Sequence, residues 1–127
     1  MAKYLAILDT AYRATLEEQD DPIIWLTHSL RGAGADVHVL LRQAAVNYGV
    51  KGQDASGLSF GGKRQTQPPN IERDLVTLIE KGAHVYYVAE DAEQRGIAPQ
   101  EILPALEPVH FSDLPSLFGG FEQVWHW

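Results

Sequence analysis

The sequence predicts an α/β fold: a three-layer α/β/α sandwich around a mostly parallel five-stranded sheet. Two observations predict it. Short apolar, β-branched runs alternate along the chain with segments of helical apolar spacing, which implies strands joined by helical crossovers. Helix punctuation falls between the runs, with Pro22 or Asn70 at the start of a helical segment and Gly32 or Gly82 at its end. Strands alternating with helices imply a sheet covered on both faces, and right-handed crossovers are the rule for such connections.

Lys3–Leu8, KYLAIL, is an apolar run ending at Asp9 and forms the first buried strand. Asp9–Asp21 is polar, a long loop or the opening of a helix. Pro22 suits a first helical position with Asp21 as N-cap, and Ile23, Leu26 and Leu30 recur at helical spacing. Gly32–Gly34 ends this helix, and Asp36–Leu41 is the second strand. From Asn47 to Pro69, five glycines and two prolines make a long loop of the kind that is functional or mobile. Asn70 caps a helix whose apolar stripe is Ile71, Leu75, Leu78 and Ile79.

His84–Ala89 is the third strand, emptying into an acidic turn at Glu90 and Asp91, where Asp91 is expected to cap the short segment behind it. Pro99–Leu106 offers a short helix interrupted by Pro104, and Pro108–Phe111 a fourth strand. Ser112 is expected to cap a short helix over DLPSLF, and Glu122–Trp127 closes the chain as a fifth strand. No internal repeat appears, and residues 1–127 are expected to form one domain.

Composition narrows the function. Hydrophobic residues make up 45% of the 127, enough for a real core, and the formal net charge is −7. An acidic surface argues against nucleic acid or an anionic membrane as partner, since phosphates need a basic patch. No run of about 18 apolar residues could span a bilayer, and the amino-terminal stretch reaches Asp9 too early for a secretory signal. A cytoplasmic protein is expected. The absence of cysteine excludes disulfides, thiolate metal sites and cysteine nucleophiles. No H-x-x-x-H or H-x-H pair occurs among the five histidines, so no metal and no cofactor is expected.

The element order, the length, the turn Arg95-Gly96-Ile97 after the third strand and the closing SDLPSL…FEQVW together resemble the DsrE/DsrF-like family of small sulfur-relay proteins, with its YchN-like and Tus-type subunits. The resemblance covers nearly the whole chain. It implies the three-layer sandwich, and homo-oligomers: dimers, trimers or hexamers. In sulfur-carrying members a cysteine stands at the end of strand three, about seven residues before the Arg-Gly pair, where helix N-termini lower a thiol pKa. The equivalent position here is Val88, and where some members carry a second cysteine this chain has Asp91. The resemblance in fold therefore comes without the persulfide chemistry.

The carboxyl ends of parallel strands are where α/β proteins place ligands. Here they supply Asp9, Arg42, Gln43, Glu90, Asp91 and Ser112, with Tyr12 and Arg13 close behind strand one. The plainer alternative is that Asp9 and Arg42 only pair with each other. Gly57–Arg64, GLSFGGKR, nearly matches a phosphate-binding loop, but Arg64 replaces the hydroxyl residue and no strand–loop–helix context surrounds it. Lys63 and Arg64 could still attract an anion. Phe121, Trp125 and Trp127 at the carboxyl terminus, and Trp25 on the first helix, are aromatic anchors of the kind enriched at interfaces.

Three functions stay open on sequence alone. One is a cysteine-free binding or assembly subunit, with a sulfur-relay protein as possible partner. Another is a small-molecule binder taking an anionic ligand at the strand ends and the glycine loop. The third is an enzyme using carboxylate acid/base chemistry at Asp9, Glu90 or Asp91.

Overall fold

The computed structural model describes residues 2–11 and 21–127. In chain order these form β1 (Lys3–Leu8), α1 (Pro22–Gly32), β2 (Asp36–Leu41), a 3-10 helix (Gln43–Gly49), a small hairpin of β3 (Ser59–Phe60) and β4 (Lys63–Arg64), and α2 (Ile71–Glu80). Next come β5 (Val85–Val88), α3 (Ala89–Gln94), β6 (Glu107–Val109), α4 (Leu114–Gly119) and β7 (Gln123–His126). Five strands pair in the order β6-β5-β2-β1-β7, every pair parallel. The expected α/β architecture is the one observed. Among the described residues no helix is long and apolar enough to cross a membrane.

Strand alternation builds two cores from one sheet. Leu8, Val39, Leu41, Val85 and Tyr87 face α1, α2 and α3, meeting Ile24, Leu75, Leu78 and Ala92. Leu5, Ile7, Leu40 and Val88 face the other way, under Leu114, with Leu117, Phe118 and Phe121 packed around them. Among the described residues, one face thus carries three α-helices and the other the six-residue α4.

Local chemistry accounts for the main helices. Asp21 caps α1, its carboxylate accepting the N–H groups of Ile23 at 2.8 Å and Ile24 at 3.2 Å, with Pro22 in the first turn. Asn70 caps α2 through the N–H of Arg73 at 3.0 Å. These satisfy amides that no helical carbonyl can reach.

Four local expectations need correction. The loop expected from Asn47 begins inside the 3-10 helix, where Ala45, Val46, Tyr48 and Gly49 are buried. A Cβ at Gly49 would come within 2.7 Å of Leu106 Cδ2, so a larger residue there would displace that side chain. The phosphate-loop look-alike is a hairpin: Gly61 and Gly62 both have positive φ, 53° and 80°, as a tight turn between paired strands requires. Pro99–Leu106 is not a helix beyond a single 3-10 turn, Pro99–Glu101. Pro104 has no N–H to continue one, and Ile102 pairs with Val50 as an isolated antiparallel bridge instead. The fourth strand ends at Val109, and Ser112 lies inside a 3-10 turn over Phe111–Asp113 rather than capping α4.

Amide exchange is expected to respect these boundaries. The segment 51–67 has mostly exposed side chains and only a two-residue-per-strand hairpin as regular structure, so it should exchange fastest among the described internal segments. Gly49 O accepts the Leu103 N–H at 2.8 Å and Lys51 donates to Glu101 O at 2.9 Å. Protection should therefore rise sharply at those two contacts, and a protected Gly57–Lys63 would contradict the assignment.

Candidate functional site

The parallel register brings Leu8, Leu41, Val88, Val109 and His126 to one end of the sheet. The residues just beyond these strand ends form the candidate site. Asp9 leaves β1 and sits between the two strands that flank it, β2 and β7. Its Oδ1 lies 3.4 Å from Arg42 Nε, and its Oδ2 lies 2.5 Å from His126 Nε2. Asp9 and Arg42 thus pair as the plainer reading anticipates, with a histidine added. The ion pair is long, and Asp9 Oδ1, although buried, makes no hydrogen bond.

The acids after β5 are not a loose turn. Glu90 and Asp91 lie in the first turn of α3, whose N-cap is Val88. The expectation that Asp91 caps the segment behind it is corrected: its Oδ2 accepts the N–H of Gln43 at 2.7 Å, across to the end of β2. Gln43 has a φ of 48°, the one non-glycine residue with positive φ among those described. Such a conformation is costly unless its surroundings hold it, and the Asp91 bond does so. Glu90 Oε1 accepts the Phe111 N–H at 2.9 Å and its Oε2 lies 3.4 Å from His110 Nδ1, tying β5 to β6. Hydrogen bonds from its own backbone N–H and from Phe111, helped by His110, hold the Glu90 carboxyl below its ordinary range.

The strand ends therefore form two clusters of mutual contacts. Asp9, Arg42 and His126 join β1, β2 and β7. Gln43, Asp91, Glu90 and His110 join β2, β5 and β6. The first gathers a carboxylate, a guanidinium and an imidazole at one point. Val88, which the resemblance sets at the place of a thiol, is fully buried in a cluster with Leu40 and Leu114. Tyr12 and Arg13 lie outside the described residues. Lys63 and Arg64 are exposed on β4, in the separate two-stranded sheet. His126 and His110 are the residues that sequence reasoning missed, and His126 shows why. The signal was strand order: only the placement of β7 beside β1 brings residue 126 to residue 9.

The aromatic candidates separate by environment. Trp125 stacks on Tyr4, ring centroids 5.2 Å apart and planes 10° from parallel. Phe121 packs against the α4-side core and lies 5.7 Å from the His38 ring. Trp25 and Trp127 are exposed, at 61% and 41%.

No protein-family model matches this sequence, and no curated protein matches it. Solved structures do. The ychN protein from E. coli is similar over 100% of both chains, with a TM-score of 0.76 at 19% identity. MTH1491 from Methanobacterium thermoautotrophicum, a protein of unknown function, is similar over 97% of both chains, with a TM-score of 0.61 at 12% identity. The chain thus has the fold of the ychN protein structure, here an α/β architecture on a parallel five-stranded sheet.

Proposed function

We propose that this chain is a cysteine-free DsrE-like subunit that works by binding and assembly in sulfur relay or sulfur metabolism, and is not itself a persulfide carrier. One observation carries the reading. At the place where the resemblance puts a reactive thiol, the chain has a valine sealed in an apolar cluster. The neighbouring acids are held in contacts between strands, which is a structural use of them. The test is incubation with a persulfide donor, removal of the donor and intact mass. The expected outcome is no stable gain of about 32 Da, the mass of one sulfur atom, since persulfidation needs a thiol. A stoichiometric gain would overturn the reading.

Assembly is the second part of the proposal. β7 is an edge strand of the described sheet, and Val124 on it and Trp127 just beyond it are exposed at 39% and 41%. An apolar edge invites pairing or cover. A homo-oligomer is expected, with Trp127 at or beside the contact. Sedimentation should show Trp127→Ala shifting the wild-type oligomer towards smaller species. Trp125→Ala should mainly lower stability, because its ring is already stacked on Tyr4. A wild-type monomer at micromolar concentration ends the assembly proposal. An oligomer untouched by Trp127→Ala moves the contact to the face bearing Trp25.

A further inference from the structure

Phe60 and Phe111 are the two most exposed large apolar side chains among the described residues, at 68% and 64%. Both belong to segments that follow the carboxyl ends of sheet strands. Phe111 lies in the 3-10 turn after β6, and Phe60 on the hairpin between the 3-10 helix after β2 and the start of α2. Their surroundings carry opposite charge. We propose that the hairpin of one chain docks on the Phe111 surface of a second copy, about a two-fold axis that makes the contact twice. Phe111 follows one edge strand, β6, and Trp127 the other, β7. The hairpin contact therefore adds to the assembly proposed at Trp127 and does not rest on it.

The hairpin has little of its own to bury. β3 and β4 pair through two residues each, and a two-stranded ribbon of that size is marginal unless something covers it. Phe60 pairs with Lys63 across the hairpin and Ser59 with Arg64. Leu58 O accepts the Gln65 N–H at 2.8 Å, which extends the ladder by one residue. Strand alternation then sets Leu58, 42% exposed, on the same side as Phe60 and Lys63. That side is apolar with a cation beside the ring, and Arg64 supplies a second cation next to it. Residues 55–71 contain these two cations and no acid, in a chain whose formal net charge is −7. The hairpin is thus a basic, apolar segment on an acidic protein.

Phe111 has the reverse setting. Its N–H donates to Glu90 Oε1 at 2.9 Å, and the N–H of His110 donates to Asp113 Oδ2 at 3.3 Å. The ring is therefore presented on a turn that two carboxylates pin. Glu93 is exposed one helical turn on from Glu90, on the same face of α3. Phe60 against Phe111 buries two aromatic rings that water now touches. The same approach brings Lys63 and Arg64 to these carboxylates. Two copies of an acidic chain repel at long range, so a local match of opposite charge is what brings them together and sets their register. An unrelated acidic partner would cover the hairpin alone. A second copy covers both aromatic surfaces at once, because each chain carries both halves of the match.

The test is sedimentation of the full chain carrying Trp127→Ala, which removes the contact beyond β7. This chain is expected to remain a dimer at micromolar concentration. Two charge reversals are then added to it separately. Lys63→Glu with Arg64→Glu sets acid against acid, and Glu93→Lys with Asp113→Lys sets cation against cation. Each reversed chain alone should sediment as a monomer. An equimolar mixture of the two restores opposite charges at both contacts and should dimerise again. Phe60→Ser should weaken the dimer about tenfold or more, as loss of an aromatic anchor does. A monomeric Trp127→Ala chain overturns the hairpin contact, and a larger wild type beside it leaves the Trp127 contact standing. A reversed chain that stays dimeric alone, a folded mixture that stays monomeric, or a Phe60→Ser chain that dimerises like its parent also overturns it. A wild type no larger than Trp127→Ala, with the mixture rescued, supports the hairpin contact and ends the one at Trp127. Circular dichroism of each variant checks that the fold is retained.

Discussion

Asp21→Ala is expected to destabilise the protein by about 3 kcal/mol, combining a lost N-cap with a lost buried hydrogen bond to a carboxylate. Asp21 is 0% exposed. One oxygen accepts from the amides of Ile23 and Ile24, and the other accepts from Tyr48 Oη at 2.6 Å. A buried carboxylate is costly unless its acceptors are filled, and three donors fill them here. The side chain joins the start of α1 to the 3-10 helix after β2, so two strand-to-helix connections depend on it. Alanine leaves two helix amides without their cap and takes a hydrogen bond from Tyr48 inside the core. Asp21→Asn keeps the cap and should cost less, about 1 kcal/mol. Urea unfolding should show a lowered midpoint with an unchanged slope. Tyr48→Phe should cost about 1–2 kcal/mol, and the double variant less than the sum because the two sites are in contact. A loss for Asp21→Ala well under 1 kcal/mol would mean water replaces the carboxylate and the connection is not as tight as the burial implies.

The same residue shows what could be read from sequence. An aspartate before a proline before helical apolar spacing is a local signal, and Asp21, Asn70 and the apolar strand runs all lie where their local chemistry places them. That Asp21 is buried, and that Tyr48 meets it, depends on contacts between residues 27 positions apart in the chain. No periodicity encodes them. Likewise Asp91 has the composition of a cap, but a distant amide with positive φ at Gln43 took it instead. The segment Asn47–Pro69 looked uniform because glycine and proline suppress every period. The glycines there have different causes: Gly49 for a close approach by Leu106, Gly61 and Gly62 for a hairpin turn.

Stability should fall as pH drops below about 6.5, the ordinary histidine value, and His38 should be the main source. His38 is 4% exposed on the thinly covered face of β2. Its Nδ1 accepts the backbone N–H of His84 at 2.8 Å, which requires the neutral ring with the proton on Nε2. Nε2 lies 2.8 Å from Asp36 Oδ1 but is not aligned for a hydrogen bond. The charged groups around it are Asp36, Arg31 and His84. Burial lowers the His38 pKa most, attraction to Asp36 opposes, and repulsion from Arg31 and His84 adds to the lowering. Burial prevails here because protonation must also break the His84 contact, which starts the β2–β5 pairing at Val39. With the folded value below the unfolded one, the unfolded chain binds the proton first. The stabilisation is complete above about 6.5 and is lost as pH falls towards the lowered folded value, with a slope of at most about 1.4 kcal/mol per pH unit. His38→Asn supplies an oxygen for the His84 N–H and cannot titrate. Denaturant unfolding at a series of pH values should show the wild type losing stability over this window while His38→Asn changes less. The difference between the two curves belongs to His38, because the other histidines are common to both. Parallel curves would assign the acid sensitivity elsewhere, and a wild type that gains stability on acidification would mean that the attraction to Asp36 outweighs burial after all.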